Sequence, residues 1–425
     1  MTPRMSKADI PAGTSTGLRA LILSFYLPAL MVTLGQGLLV PILPLFVVDF
    51  DISYGLIGLV LAGEGIGTLI ADVPSGMIQR RFGNKQVMIM GLLVKAASVI
   101  LLFFAPSIWS VLALRLFAGF GRAMYTISAH VYVTDHVELS QRGKAISMFG
   151  GTHRLGGFIG PAIGGVAAGM LGLRAVFVLV GVVTAVGLIL VVLFTLKGKR
   201  EKSKLSAKDR HELHIKSVLV SNSRVLASAG TAQVFGQMIR AGRIIIIPLF
   251  AAEVLGLAVD QIGLIVSLSV AVDFSLFVVA GWLMDRVGRK FAIVPCFGIQ
   301  ALGMALVPFA TSYSGLLFAA VLIGIGNGLG SGTMMTLGAD LSPARSRGEF
   351  LGVWRWIGDM GHTGAPLVVG IVADILVLTS AIWVIAGSGL AAASIFLFFV
   401  PETLRQKSTP PPTPSRRSVS TRPTS

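Results

Sequence analysis

Ionisable side chains inside long apolar segments are the residues of this sequence whose types and spacing could do chemistry. Glu64 and Asp72 lie eight residues apart in one such segment, so on an α-helix with 3.6 residues per turn they lie close to one face. A buried charge is costly unless a partner or water compensates it, so such groups commonly carry protons or bind charged ligands. The other members of this set are Arg115, Arg122, His153, Arg154, Arg240, Arg243, Asp273, Arg355, Asp359 and His362.

The composition indicates what surrounds these charges. The chain has 425 residues, of which 54% are hydrophobic and 13% charged, whereas soluble domains contain about 25% charged residues. A transmembrane helix needs about 20 apolar residues, so the composition predicts an all-α, multi-pass membrane protein. The single cysteine, Cys296, excludes a framework of internal disulfides.

Twelve apolar segments are predicted to cross the membrane as helices, six on each side of a polar linker, and are numbered 1 to 12 here. The expected division is a cytoplasmic tail at 1–17, a six-helix bundle at 18–196, a basic linker at 197–221, a second six-helix bundle at 222–400, and a disordered tail rich in Pro, Ser and Thr at 401–425.

Positive charge is distributed unequally between the two ends of the predicted helices. The formal net charge is +16, and most Lys and Arg residues fall in the even-numbered connections, the linker and the tails. The odd-numbered connections contain Arg174 and the acidic residues Asp49, Asp51, Glu253 and Asp260. Because cytoplasmic loops collect Lys and Arg, both termini and the linker are expected on the cytoplasmic side of a cell membrane. Topology thus explains the basic charge, and no nucleic-acid partner is expected.

The sequence repeats itself at a single offset of 205 residues. The matched positions are mainly Gly, Pro and charged residues, which rarely coincide by chance. Examples are Gly76 and Gly281, Gly83 and Gly288, Lys85 and Lys290, Asp135 and Asp340, and Pro161 and Pro366. Two six-helix units that start on the same side of the membrane form a parallel repeat about an axis along the membrane normal.

Three motifs carry a resemblance to a known family. The loop after helix 2 contains Gly76, Arg80, Gly83 and Lys85, and its copy after helix 8 contains Gly281, Asp285, Arg286, Gly288, Arg289 and Lys290. The helix 4 motif contains Arg115, Gly119 and Gly121, and the helix 5 motif contains Gly156, Gly160, Pro161, Gly164 and Gly165. These motifs resemble those of the major facilitator superfamily, and most closely those of its twelve-helix drug:proton antiporter branch.

The resemblance implies a secondary transporter that rocks two helical bundles about a central cavity. Its partners would be a small-molecule substrate, protons and the lipid bilayer, and it would act as a monomer without catalytic residues, metal, cofactor or enzymatic activity. Export of a small organic or drug-like compound in exchange for protons is the favoured interpretation. A carrier of an organic anion or an amphipathic lipid-like compound is the second, and a transporter-fold receptor or scaffold is the third.

The first loop motif departs from the family pattern, because Arg80 stands where the family usually has Asp. In the family, this loop acid packs against the first turn of helix 11 or helix 5, where a helix N-terminus favours negative charge. We expect Asp285 to pair with Lys144 and Arg80 to pair with Glu349, so that the two contacts have reversed polarity. The alternative is that all four are ordinary loop or snorkelling residues. Asp72 is expected to cap the loop after helix 2.

Depth along the helices suggests partners for the buried charges. The resemblance places helix 2 against helix 11, and helix 5 against helix 8. We therefore expect Glu64 to pair with Arg355, and Arg154 with Asp273. Glu64 is the first candidate for the coupling proton, with Asp359 or Asp273 as the second. The alternative is that these pairs only hold the two bundles together.

Helices 4 and 7 line the cavity in the family, which assigns roles to their charged residues. Arg115, within the helix 4 motif, is expected to take part in coupling. Arg122, Tyr125, Arg240 and Arg243 are candidates for the substrate cavity. Alternatively, Arg240 and Arg243 snorkel to the membrane interface, and Tyr125 is a packing residue.

Overall fold

The computed structural model of the protein describes residues 21–137, 142–196, 222–343 and 347–404. Within these ranges the chain forms α-helices and no β-strand. The predicted tail at 1–17 and the linker at 197–221 lie outside them, as do the side chains of Lys144 and Glu349.

The first half of the chain forms six helices whose ends follow local sequence signals. They are α1 (Leu27–Val48), α2 (Tyr54–Phe82), α3 (Asn84–Leu101), α4 (Ile108–His136), α5 (Arg142–Leu171) and α6 (Leu173–Phe194). The side chains of Ser53 and Ser107 accept backbone hydrogen bonds in the first turns of α2 and α4, as N-caps do. Gly83, with φ of +87°, ends α2.

The second half repeats this arrangement with two interruptions. Its helices are α7 (Thr231–Glu253), α8 in two segments (Val259–Ser275 and Phe277–Arg286), α9 (Arg289–Leu306), α10 in two segments (Tyr313–Leu329 and Thr333–Leu341), α11 (Arg347–Ile375) and α12 (Leu378–Phe398). The corresponding helices α2 and α4 of the first half are continuous. The interruptions therefore break the symmetry of the repeat, and each frees backbone groups that need partners.

All twelve predicted helices are found in the part of the chain that the structure describes. Ten are long and apolar enough to cross a membrane. The other two, α4 and α11, contain 29 residues each, which is also long enough to span about 30 Å of hydrocarbon. Several charged residues lie within each of them, including Arg115 and Arg122 in α4 and Arg355 and Asp359 in α11.

Equivalent lysines bind equivalent helix ends in the two halves. Lys85 Nζ donates a hydrogen bond to the Val192 carbonyl, and Lys290 Nζ donates one to the Leu397 carbonyl, both over 2.8 Å. A cation at a helix C-terminus complements the helix dipole and its unpaired carbonyl groups. The last lysine of each loop motif thus ties the loop to the end of α6 or α12.

The two ends of the molecule differ in charge and in how the bundles meet. We call the end with the α2–α3 and α8–α9 loops the basic face, and the opposite end the acidic face. At the acidic face, the Tyr54 hydroxyl donates to Glu253 Oε2 over 2.5 Å, and the Gly55 N–H donates to Asp374 Oδ2 over 2.9 Å. Both hydrogen bonds join one bundle to the other.

The helix pairs that face each other across the bundles are those the resemblance implies. In α2, a Cβ at Gly58 would overlap the carbonyl oxygen of Pro366 in α11. In α8, a Cβ at Gly263 would overlap the carbonyl oxygen of Pro161 in α5. Gly58 and Gly263 are equivalent positions of the repeat, so both crossings depend on backbone-to-backbone contact that only glycine allows.

Glu402, just beyond α12, binds the first turn of α9. Its carboxylate accepts hydrogen bonds from the backbone N–H groups of Arg289 and Lys290, each over 2.9 Å. Burial alone would raise the pKa of Glu402, but hydrogen bonds from backbone N–H groups, including that of Leu404, lower this pKa below its ordinary value. Residues 401–404, which fall in the predicted disordered tail, are therefore held in place, and 405–425 lie outside the described residues.

The Glu402 contact predicts a pH-dependent contribution to stability. A carboxyl group whose pKa is lowered in the folded state stabilises the fold above its ordinary pKa, near 4.5, and loses this effect as the pH falls through the lowered value. Glu402→Gln is expected to lower stability by about 0.3–1 kcal/mol at pH 7, as for other charges at exposed helix termini, and by less at pH 3. Thermal unfolding at both pH values tests this, with exposed Asp49→Asn as the matched control. A deficit that is the same at both pH values would contradict it.

Candidate functional site

Glu64 lies at the centre of a buried ionic cluster that also contains Lys95, Arg115 and Arg122. Lys95 Nζ is 3.2 Å from Glu64 Oε1, and Arg115 Nη1 is 2.6 Å from Oε2. Arg122 Nη1 is 3.9 Å from Oε1. The side chains of Lys95 and Arg115 are almost completely buried. Three cations therefore surround one carboxylate within the first bundle, and we call this group the Glu64 cluster.

Close helix crossings bring these side chains together. A Cβ at Gly119 of α4 would overlap the Glu64 carbonyl oxygen of α2, and a Cβ at Gly121 would lie 2.5 Å from the Gly91 carbonyl oxygen of α3. The glycines of the helix 4 motif thus allow α4 to approach both neighbours, so that Arg115 reaches a carboxylate on another helix. This gives the motif a structural explanation.

The predicted pair of Glu64 with Arg355 is wrong. Glu64 points into its own bundle toward α3 and α4, whereas Arg355 Nε lies 3.5 Å from Asp359 Oδ2, four residues along α11. Depth along a helix does not specify which face of the helix a residue occupies, and here the face decides the partner. Lys95 was not among the candidates, although a lysine inside the apolar segment of helix 3 is the signal that could have identified it.

Asp273 forms a second cluster, and this one joins the two bundles. Arg154 Nη1 of α5 lies 2.8 Å from Asp273 Oδ1 of α8, which is the predicted pairing. Arg243 Nη2 of α7 lies 3.4 Å from Oδ2, and Asn327 Nδ2 of α10 donates to the same oxygen over 2.5 Å. We call this group the Asp273 cluster.

The interruptions of α8 and α10 lie beside the Asp273 cluster. Arg154 Nη2 donates to Ser331 Oγ over 2.8 Å, and Arg240 Nη2 donates to the Gly330 carbonyl over 3.1 Å. The break in α10 therefore supplies acceptors to two arginines. Interrupted membrane helices that expose backbone groups in this way recur at transport sites. Neither break was predicted from the sequence.

A cavity of about 230 Å³ lies between the two bundles in the half of the molecule nearer the basic face. Its walls come from α1, α2, α4 and α5 of the first bundle and from α11 of the second. Its carboxylate, guanidinium and imidazole lining residues are Asp72, Arg122, His130, His153, Arg355, Asp359 and His362. The cavity therefore presents both positively and negatively charged side chains to a small ligand.

The four residues predicted for a substrate cavity divide into two sets. Arg122 and Tyr125 line the cavity, and the buried Tyr125 hydroxyl has no hydrogen-bond partner among the described residues. Arg240 and Arg243 are not among the lining residues, because they belong to the surroundings of Asp273. Arg243 does not snorkel to the interface, since its side chain is only 13% exposed, and the Arg240 guanidinium binds the Gly330 carbonyl instead.

The position of Asp72 also differs from the expectation that this residue caps the loop after α2. It lines the cavity, and its Oδ1 is buried without a hydrogen-bond partner in the described part of the chain. The charged groups that act on it are Arg355, Asp359 and Arg122. Asp72 is thus a carboxylate that reaches the cavity without the close ion pairs that surround Glu64.

The loop residues face solvent or form local ion pairs, and the glycines of the helix 5 motif pack against other helices. Asp285 is 76% exposed and lies 3.0 Å from Arg289, and Arg80 is exposed. Because the side chains of Lys144 and Glu349 lie outside the described residues, the proposed pairs of reversed polarity stay a prediction. In α5, Gly156, Gly160 and Gly164 contact α1, and Gly165 contacts α8.

Comparison with known proteins identifies the family. The sequence profile described as Major Facilitator Superfamily matches residues 25–242 and 229–424. The chain belongs to the major facilitator superfamily. Within it, an uncharacterised MFS-type transporter of Methanocaldococcus jannaschii is 25% identical over 345 residues, which cover 81% of this chain and 88% of the relative.

Two further similarities concern a drug-resistance protein and a solved structure. The multidrug resistance protein MdtG of Salmonella paratyphi C is 24% identical over 375 residues, covering 86% of this chain and 90% of that protein. The crystal structure of the nucleoside transporter NupG matches with a TM-score of 0.73 at 14% identity, covering 90% of this chain and 100% of NupG. That structural match shows the major facilitator fold and no more.

Proposed function

We propose that this major facilitator protein is a proton-coupled antiporter that exports a small organic compound by alternating access. The observation that supports this most is the cavity, which has walls from both bundles, lies toward the basic face and contains carboxylates. At the acidic face, hydrogen bonds from Tyr54 to Glu253 and from Gly55 to Asp374 join the two bundles. Because cytoplasmic loops are rich in Lys and Arg, we take the basic face as cytoplasmic and this state as inward-facing. Relatives named as multidrug resistance proteins support export.

We assign the exchangeable proton to Asp72 and Asp359 rather than to Glu64. Lys95 and Arg115 each lie within 3.2 Å of Glu64, and such close cations stabilise the ionised carboxylate. Asp72 and Asp359 both line the cavity, and among the described residues only Arg355 lies within ion-pair distance of Asp359. A carboxylate with fewer cationic partners and access to water gains and loses a proton more readily.

The Arg154–Asp273 pair is proposed to act as the switch between the two states. It crosses from α5 to α8 at the contact between the bundles. When the bundles rock apart at that contact, Asp273 keeps Arg243 and Asn327 as partners within its own bundle. The carboxylate is therefore never left unpaired, which limits the cost of breaking a buried ion pair.

Proton movement in proteoliposomes tests this proposal. Purified protein would be reconstituted with a pH-sensitive dye in the lumen and exposed to a panel of organic cations, neutral compounds, zwitterions and anions under an imposed pH gradient. Compound-dependent proton movement is expected for the wild type. Asp72→Asn combined with Asp359→Asn is expected to reduce it at least tenfold, while Asp49→Asn, an exposed carboxylate at the acidic face, leaves it unchanged.

The remaining outcomes distinguish the other interpretations. Full proton movement in the Asp72→Asn/Asp359→Asn variant would remove these residues from the proton route. An organic anion moving in the same direction as protons would favour the second candidate, which the excess of cations in the Glu64 cluster supports. Absence of proton movement with every compound would favour a receptor or scaffold.

A further inference from the structure

The charges around the cavity separate into two groups of opposite sign. The Glu64 cluster contains three cations and one carboxylate, so two positive charges remain uncompensated. Nearer the basic face, Asp72 and Asp359 share the guanidinium of Arg355, and Arg122 of the Glu64 cluster also acts on Asp72, so the two carboxylates and Arg355 together carry one net negative charge. We call these groups the positive pole and the negative pole of the cavity. Uncompensated charges at membrane depth are costly, which points to a ligand that compensates both.

Arg122 is the part of the positive pole that reaches the cavity. Lys95 and Arg115 lie closer to the Glu64 carboxylate than Arg122 does, and their side chains are 2% and 7% exposed. The Arg122 side chain is 42% exposed and lies 3.9 Å from Glu64. Its guanidinium therefore keeps donors available, and the planar fork of these donors fits a carboxylate, sulfonate or phosphate.

The surroundings of Arg122 supply further polar groups for an anion. Tyr125 lies three residues along α4, and its buried hydroxyl has no hydrogen-bond partner among the described residues. His153 and His362 line the same cavity from α5 and α11. A buried hydroxyl without a partner is costly, and an acidic group held by Arg122 would provide one.

The positive pole belongs to the first bundle alone. At the equivalent positions of the second bundle, Ser269, Gln300 and Ala320 replace Glu64, Lys95 and Arg115, and Asn327 replaces Arg122. A ligand with an acidic group would therefore bind in one orientation, with that group against α4. On α2, Asp72 is eight residues beyond Glu64, about 12 Å nearer the basic face at 1.5 Å per residue. Arg122 lies between the two groups, since it is 3.9 Å from Glu64 and also acts on Asp72.

We propose that the substrate of this cavity is a small zwitterion, with its acidic group on Arg122 and Tyr125 and its ammonium group on Asp72 and Asp359. The cavity, at about 230 Å³, is smaller than the roughly 300–1,000 Å³ typical of drug-sized ligands. The inference rests on the proposed function and deepens it. The negative pole carries one net negative charge, so it binds either a proton or the ammonium group. The proton and the substrate therefore compete, as antiport requires.

Binding of three matched probes tests the inference. The probes are 4-(aminomethyl)benzoate, 4-methylbenzoate and 4-methylbenzylamine, which share a ring and differ in their charged groups. Calorimetry on the full chain in phosphatidylcholine nanodiscs is expected to give at least tenfold tighter binding of the zwitterion than of either single-charge probe. Arg122→Gln is expected to abolish the advantage of the zwitterion over the amine, and Arg122→Lys to restore part of it. Asp72→Asn/Asp359→Asn is expected to abolish its advantage over the acid.

Three results would overturn the inference. They are a single-charge probe that binds as tightly as the zwitterion, an Arg122→Gln variant that weakens all three probes equally, and no binding of the zwitterion at millimolar concentration. No pH gradient is present in this assay, so its outcome is independent of proton coupling. Binding as expected without proton-driven flux would contradict antiport alone, and proton-driven flux without a preference for the zwitterion would contradict this inference alone.

Discussion

Replacing Glu64 with glutamine is expected to destabilise the first bundle by about 3–5 kcal/mol, which is the cost of removing one partner from a buried ion pair. The substitution leaves Lys95 and Arg115 as buried cations without a counter-charge, and both side chains are less than 10% exposed. Thermal unfolding in nanodiscs, together with the yield of monodisperse protein, measures the effect. Asp49→Asn removes a carboxylate at the acidic face and serves as the control.

The second half of the chain provides a sharper test of the same cluster. There, Ser269, Gln300 and Ala320 occupy the equivalent positions, and Ser269 Oγ donates to the Ala320 carbonyl over 2.6 Å. The triple variant Glu64→Ser/Lys95→Gln/Arg115→Ala copies this neutral arrangement. It is expected to recover most of the stability lost in Glu64→Gln, because neutral groups can replace a buried ion network without loss. A triple variant less stable than the single one would contradict the electrostatic explanation.

Adding a methyl group at Gly58 or Gly263 is expected to shift the protein away from the state described here. At both positions a Cβ would overlap a proline carbonyl of the opposite bundle. Overpacking of this kind costs about 1–3 kcal/mol. Each 1.4 kcal/mol changes the equilibrium between the two states roughly tenfold. Gly58→Ala and Gly263→Ala are therefore expected to favour the state that is open at the acidic face and to reduce transport.

Distances between spin labels at the acidic face measure this shift. Cysteines at Asp49 and Val254, which lie in opposite bundles, would carry the labels in a Cys296→Ala background, since Cys296 is the single native cysteine. Gly58→Ala is expected to lengthen the distance between them. Gly364→Ala is the matched control, because nothing lies within 4 Å of a Cβ at that position. Equal distances in Gly58→Ala and Gly364→Ala would show that this crossing does not hold the acidic face closed.

Much of the fold could be predicted because it repeats. The offset of 205 residues aligns Gly58 with Gly263 and Lys85 with Lys290, and in the structure the two members of each pair make equivalent contacts. Helix number and length follow from apolar runs that must cross a bilayer. The Arg154–Asp273 contact was predicted because both residues lie on helices that face each other.

The candidate site was harder to predict, since it depends on rotation about each helix axis and on local breaks. Glu64 turns toward α3 and α4 rather than toward Arg355, and the partner missed in α3 is Lys95. The interruption of α10 at 330–332 places Ser331 beside Arg154, and nothing in the apolar pattern indicates it. Asp72 lines the cavity ten residues before the end of α2 at Phe82, and does not cap the loop.

The measurement that tests alternating access most directly is the labelling of one cavity residue from each side of the membrane. Gln36 lines the cavity from α1 without belonging to either pole, so Gln36→Cys in the Cys296→Ala background reports on access alone. A membrane-impermeant thiol reagent is expected to label it at least tenfold faster from the basic face than from the acidic face in the absence of a gradient. The Gly58→Ala substitution is expected to reverse that preference. Faster labelling from the acidic face in the unsubstituted protein, or no labelling from either side, would contradict the account.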